Sequence, residues 1–240
     1  GMPRLEEAHL KAIVEAAHKR GLKAVAHVGN ADDAMLAVKA GVDALNHMPN
    51  LGPMNDAQVE ALKTAGIPVV PTMIIFERGA QMSESHYVFG ELEQQIEAPE
   101  VLEQLSDATC AKNNPHPFLG KWLSAMAAAR PHRTASLGAM YRAGVPLFVG
   151  TDSSIIGNVA GASIHHELKM LVSSGMTPHD ALLGATVLPS RFFFPDARIG
   201  VIEPGAEADL LLVDGNPLED IAATSKINTV VQGGKVVTRL

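Results

Sequence analysis

The chain has 240 residues, 47% hydrophobic and 19% charged, with a formal net charge of −7. This is an ordinary globular composition without the basic surface that nucleic acid requires. No apolar run is long enough to span a membrane, and the opening GMPRLEEAHL lacks the apolar stretch of a secretory signal, so the cytoplasm is the expected compartment. The single cysteine, Cys110, excludes an intrachain disulfide and a cysteine metal cluster. Gly1 ahead of Met2 reads as the remnant of a cleaved tag.

One device then recurs along the chain: an alanine-rich helical stretch, a glycine, and a short apolar run of β type. The helical stretches are Glu6–Arg20, Asp32–Ala40, Asn55–Ala65 and Arg133–Ala143. The glycines are Gly21, Gly41, Gly66 and Gly144, and the runs are Leu22–His27, Val42–His47, Ile67–Thr72 and Val145–Asp152. Glycine just past a helix end suits the left-handed backbone common there. Runs this short and apolar suit strands buried on both faces, and their alternation with helices predicts parallel βα units. Between the third run and its following helix, residues 73–132 form a long insertion with a helical piece near Glu100–Lys112, expected to serve as a lid or substrate loop. Beyond the fourth run, Ile164–Ser174 is one predicted helix. Thr177 is an N-cap with Pro178 at the first position of another, which runs to about Phe193. A boundary is expected near Ala197. After it, Asp209–Val213, Thr229–Val231, a Gly233-Gly234 turn and Val236–Thr238 read as short strands.

Functional side chains of parallel βα folds gather at the C-terminal ends of strands. Here those ends carry His27, His47, Thr72 and Asp152. His27 and His47 each lie six residues after their glycine, which puts both imidazoles at one height. Two imidazoles and a carboxylate facing one pocket suit zinc or a similar divalent ion, whereas a lone histidine at a strand end is usually a polar terminus. Thr72, and His165 and His166 at the start of the next helix, are candidates for the rim or for substrate. His86, Tyr87, His116 and Arg191 are weaker candidates. His9, His18, His132 and His179 read as solvated helix residues. There is no G-x-S-x-G elbow, no phosphate-binding glycine loop, and no supported setting for Cys110 as a nucleophile.

Several segments resemble the amidohydrolase superfamily, in its imidazolonepropionase-like and Xaa-Pro dipeptidase-like branch. GLKAVAHVGNADDAMLAVKAGVDALNHM (21–48) is similar to the fifth and sixth barrel strands of that family, and GVPLFVGTDSS (144–154) to the eighth. HHELKMLVSSGMTPHDALLGATVLPSRFF (165–193) resembles the helices that follow. IGVIEPGAEADLLLVDGNPLEDI (199–221) and VVQGGKVV (230–237) resemble strands of the small β-sandwich domain. The resemblance implies the C-terminal half of a TIM (β/α)8 barrel, strands 5–8, over residues 2–196, followed by sandwich strands over residues 197–240. It implies metal binding by His27, His47 and Asp152, with Asp152 shuttling a proton while a metal-activated water attacks an amide or peptide-like C–N bond.

The family pattern also includes an H-x-H pair and a bridging lysine at strand ends earlier in the barrel. No H-x-H occurs in this sequence. The chain is therefore expected to hold metal incompletely, to hydrolyse amides weakly or not at all, and to self-associate over the open barrel edge. The alternatives are a non-catalytic half-barrel module that assembles with itself or with a partner chain, and an unrelated flavodoxin-like domain in which His27, His47 and Asp152 share no pocket.

Overall fold

All four repeated glycines take a left-handed backbone just past a helix end, Gly21 with φ of 67°. Gly41, Gly66 and Gly144 take φ of 85°, 65° and 86° at the C-caps of the helices before them, a left-handed turn that tips the chain directly into the next apolar run. The computed structural model of the chain describes residues 4–84, 86–107, 117–153 and 157–237, with the side chains of 117–119 excepted. Cys110, His116 and the end of the expected Glu100–Lys112 helix lie outside the described residues.

In chain order, α1 (Glu7–His18) leads to β1 (Val25–His27), α2 (Ala31–Ala40) to β2 (Ala44–Asn46), and α3 (Asp56–Ala65) to β3 (Val69–Val70). The strands pair in parallel in the order β1-β2-β3, with Val25 opposite Ala44 and Leu45 opposite Val69. They are shorter than the apolar runs that announce them. The fourth run differs most. It joins the sheet through one parallel bridge, Val69 to Leu147, and forms no extended strand. Among the described residues no strand lies beyond it, and Val149 N donates to Gly184 O instead of to a sheet neighbour. Gly150 lets this segment pass close to β3, since a Cβ there would lie 2.5 Å from Val70 Cγ1.

Residues 73–132 are mostly helical and partly core, a correction to their reading as an insertion with one helical piece. α4 (Met73–Glu84) starts directly after Thr72. α5 (Glu91–Ile96), α6 (Pro99–Ser106) and α7 (Pro117–Ala128) follow. α4 packs along α7, and Ile75, Phe76, Ala80 and Met126 form a second apolar cluster with Trp122 against it. α8 (Arg130–Ala143) begins earlier than its predicted start. The main core joins Leu45, Met48, Leu62, Val69, Leu137, Met140, Leu147, Leu168 and Leu171, so strands and helices share one apolar interior.

α9 (Ser163–Ser173) and α10 (Pro178–Ala185) agree with expectation, and the Thr177 side chain accepts from Asp180 N as an N-cap. The helix predicted to run on to Phe193 is broken at Thr186, with φ −131° and ψ −93°, before α11 (Val187–Phe193). Pro189 explains the break: it has no N–H to offer Ala185 in an unbroken helix. The tail forms an antiparallel sheet of β4 (Leu210–Val213), β5 (Ile227–Gln232) and β6 (Lys235–Val237), with a 3₁₀ turn at Ile221–Ser225. Among the described residues, no helix is long and apolar enough to cross a membrane.

Candidate metal centre

His27 is the last residue of β1, and His47 follows β2 at once. In register, His27 faces Asn46, so the two imidazoles leave neighbouring parallel strands at the same end. Their rings meet edge to face with centroids 4.5 Å apart. His47 is buried and its ring also packs edge-on to Phe76 of α4, with centroids 5.5 Å apart. Thr72 lies just past β3, and its hydroxyl is 2.6 Å from His47 Nδ1 while donating to Pro71 O at 2.8 Å. With its own proton committed to Pro71, that hydroxyl accepts from His47 Nδ1–H, leaving Nε2 as the free acceptor of the neutral ring. Nε2 lies 3.8 Å from Asp152 Oδ2, and Asp152 is exposed at the end of the fourth segment.

The backbone marks the same place. Among the described residues, the non-glycine positions with positive φ are His47 at 64°, Thr72 at 50° and Asp152 at 51°. Each follows one of three adjacent parallel segments. A left-handed conformation costs an L residue about 1–3 kcal/mol, most for a β-branched one, and persists where surrounding structure fixes it. Here it turns all three side chains toward one rim. Nearby, Thr151 and Ser153 hydroxyls lie 2.6 Å apart, and Asn158 donates to Thr151 O, tying down the loop that carries Asp152.

Burial lowers the His47 pKa, and neighbouring His27 lowers it further against the opposing pull of Asp152. The ring is therefore neutral at neutral pH, the form that ligates metal. Two donors of the expected set, His47 Nε2 and Asp152 Oδ2, face each other at the rim, with the His27 imidazole packed beside them. Two donors sharing a tetrahedral zinc would lie about 3.4 Å apart, near the separation of His47 Nε2 and Asp152 Oδ2. Among the described residues no three His, Cys, Asp or Glu side chains come together as a group that could hold a metal ion. His27 packs against His47 and does not yet converge with it on one point.

His165 and His166 lie in the first turn of α9. They line a cavity formed with α5 and the C-terminal segment, and His27, His47, Thr72 and Asp152 do not line it. His86 donates its backbone N–H to Gln81 O, and Tyr87 stacks on Phe89 with ring centroids 5.3 Å apart. His9, His132 and His179 are exposed, and His18 pairs at the surface with Asp43.

The histidine inventory alone does not find Glu167. It is fully buried on α9, and its two carboxyl oxygens accept from Met73 N at 2.9 Å and Ile74 N at 2.7 Å, the first amides after Thr72. The available signal is a carboxylate inside the apolar stripe of Ile164, Leu168 and Leu171.

Comparison with known proteins adds an independent line. The sequence profile of the amidohydrolase family matches residues 1–237. Ochratoxinase from Aspergillus niger is 30% identical over 233 residues, which are 95% of this chain and 40% of that protein. Imidazolonepropionase from Shouchella clausii is 30% identical over 111 residues, 43% of this chain and 24% of that enzyme. A crystal structure of a Xaa-Pro dipeptidase with methionine bound in its active site superposes with a TM-score of 0.73 at 24% identity, covering 98% of this chain and 49% of that one. The chain thus spans about half the length, or less, of these relatives.

Proposed function

The chain belongs to the amidohydrolase family, and from that premise we propose that β1, β2, β3 and the bridged segment at Leu147 stand in the places of strands 5–8 of a (β/α)8 barrel and carry part of a metal site for hydrolysing C–N bonds. The observation that carries this reading is the rim itself, where His47, Thr72 and Asp152 turn left-handed at successive segment ends and His47 Nε2 faces Asp152. The substrate class is an amide or peptide-like bond, in keeping with the dipeptidase among the structural relatives.

A divalent metal, zinc by donor type, would be held by His27, His47 and Asp152 and would supply an activated water. Thr72 keeps His47 in the tautomer whose Nε2 is free. Asp152 Oδ2 accepts the proton of the attacking water and returns it to the departing nitrogen. Phe76 and the burial of His47 exclude bulk water from the inner side of the rim. No H-x-H pair occurs in the sequence, so the chain offers only part of the family's ligand set.

Zinc titration by calorimetry tests this. One ion is expected per chain, with weak or no cleavage of N-acyl-amino-acid and Xaa-Pro substrates. Thr72→Val should lower zinc affinity by about 10- to 100-fold by releasing His47 Nδ1. Zinc affinity unchanged in both Thr72→Val and His47→Ala would remove the rim from consideration.

A second reading, a half-barrel module that assembles with itself, draws on a different observation. β1 is the edge of its sheet, and its unit exposes Leu5, Ile13, Leu22 and Val25, at 50%, 52%, 60% and 44%. An uncovered edge beside apolar side chains favours pairing with another chain. Light scattering after size exclusion should show a dimer or larger species, and a Val25→Lys variant should shift it toward monomer. A monomeric parent chain would rule this reading out.

A further inference from the structure

A cavity of about 500 Å³ lies between α9, α5 and the C-terminal segment, away from the metal rim. Its size is that of a small-molecule site. The α9 wall carries two imidazoles and the Lys169 ammonium. Ala162, His165, His166 and Lys169 recur at helical spacing along one face of that helix. Ala162 is the N-cap without a side-chain cap, and the first-turn amides Ser163 N and His165 N donate to Val159 O and Ala162 O, so the wall acts through its side chains. His165 is 6% exposed and its Nδ1 has no hydrogen-bond partner. His166 is held in place by the buried carboxylate of Glu93 at 3.1 Å.

The other walls have a different character. Glu91 comes from α5 and Asp214 from the end of β4, with Lys226 beside it. Leu92 and Ile227 add apolar surface. A dianion such as phosphate would meet two carboxylates in the same space, which is unfavourable. A ligand with one negative and one positive end meets complementary charge at both.

We propose that this cavity binds a small aliphatic α-amino acid, its carboxylate against Lys169 and the His165 and His166 imidazoles of α9 and its ammonium toward Glu91 and Asp214. This site is independent of the metal rim.

The test uses the whole chain in the presence of EDTA, so that no metal contributes. Calorimetry or ligand-observed NMR would compare L-leucine with 4-methylpentanoate, which lacks the ammonium, and 3-methylbutylamine, which lacks the carboxylate. L-leucine is expected to bind saturably and at least about tenfold more tightly than either, one charge contact being worth roughly that factor. Lys169→Met should weaken leucine but not 3-methylbutylamine. Asp214→Asn should weaken leucine but not 4-methylpentanoate. Both substitutions are at partly or fully exposed positions, and an unchanged melting temperature checks that each variant folds. The proposal is overturned by absence of saturable leucine binding up to about 10 mM, the weak end of specific affinity. Equal binding of leucine and either half-ligand, or leucine binding indifferent to both folded variants, overturns it as well.

Discussion

Glu93→Ala is expected to destabilise the chain by about 3–5 kcal/mol, because it strands a buried guanidinium. Arg78 and Glu93 are 1% and 0% exposed and form a direct ion pair. The second oxygen of Glu93 accepts from Gly90 N at 2.6 Å and faces His166 Nε2 at 3.1 Å. Burial alone would raise the Glu93 pKa. Hydrogen bonds from His166 and Gly90, together with the charge of Arg78, outweigh it and hold the carboxyl below the ordinary value. Without Glu93, Arg78 keeps, among the described residues, the acceptors Gln81 Oε1 and Val88 O and the Phe89 ring 5.2 Å away, none of them charged. The paired change Arg78→Met with Glu93→Leu should cost less than Glu93→Ala alone, since it leaves no charge behind. Urea midpoints for the three chains decide this. A Glu93→Ala cost below about 1 kcal/mol would mean that water or another group compensates the arginine. The network ties α4, α5 and α9 together, so its loss should also loosen the wall of the amino-acid cavity.

Glu167 should contribute stability that is lost as pH rises from about 4.5 to about 8, and Glu167→Gln should remove that contribution. Burial pushes the Glu167 carboxyl up to about 8, although its bonds from Met73 N and Ile74 N pull the other way. The sign follows from proton counts. Above pH 4.5 the unfolded carboxyl has lost its proton while the folded one retains it up to about 8. The folded state therefore binds more protons across that window, and each added pH unit favours unfolding. The effect integrates to several kcal/mol, on the order of 1.4 kcal/mol per pH unit. Glutamine keeps a carbonyl for one of the two amides but has no proton to lose. Melting temperatures across the window would show the parent falling relative to Glu167→Gln as pH rises. Parallel slopes in parent and variant would exclude Glu167 as the source. Because Glu167 caps α4 immediately after Thr72, the same equilibrium bears on how firmly Thr72 holds His47.

Sequence carried much of the architecture because the signals are local. Gly41, Gly66 and Gly144 sit where only a left-handed residue closes the helix, and the apolar runs after them have no polar face to expose to water. Thr177-Pro178 starts a helix by chemistry confined to four residues. His27 and His47 could be paired from their equal distance to a glycine, since that distance fixes height along parallel strands. Local signals misled where an element depends on its neighbours. The run Val145–Asp152 is as apolar as the others, yet it meets β3 through a single bridge to Val69 and no continuous ladder extends it into a strand. Residues 73–132 contain prolines that suggested a loop, while packing of α4 along α7 makes most of them helical.

The sequence by itself determined the βα repeat, the family, and which side chains end each parallel segment, because hydrophobic period, glycine position and motif order are properties of the chain read in one dimension. Only the tertiary structure decided that Thr72 orients His47, that Glu93 satisfies Arg78, and that Glu167 caps α4 across more than ninety residues. These are contacts between groups far apart in sequence. Their energies come from burial and mutual orientation, which exist only once the chain has closed around them.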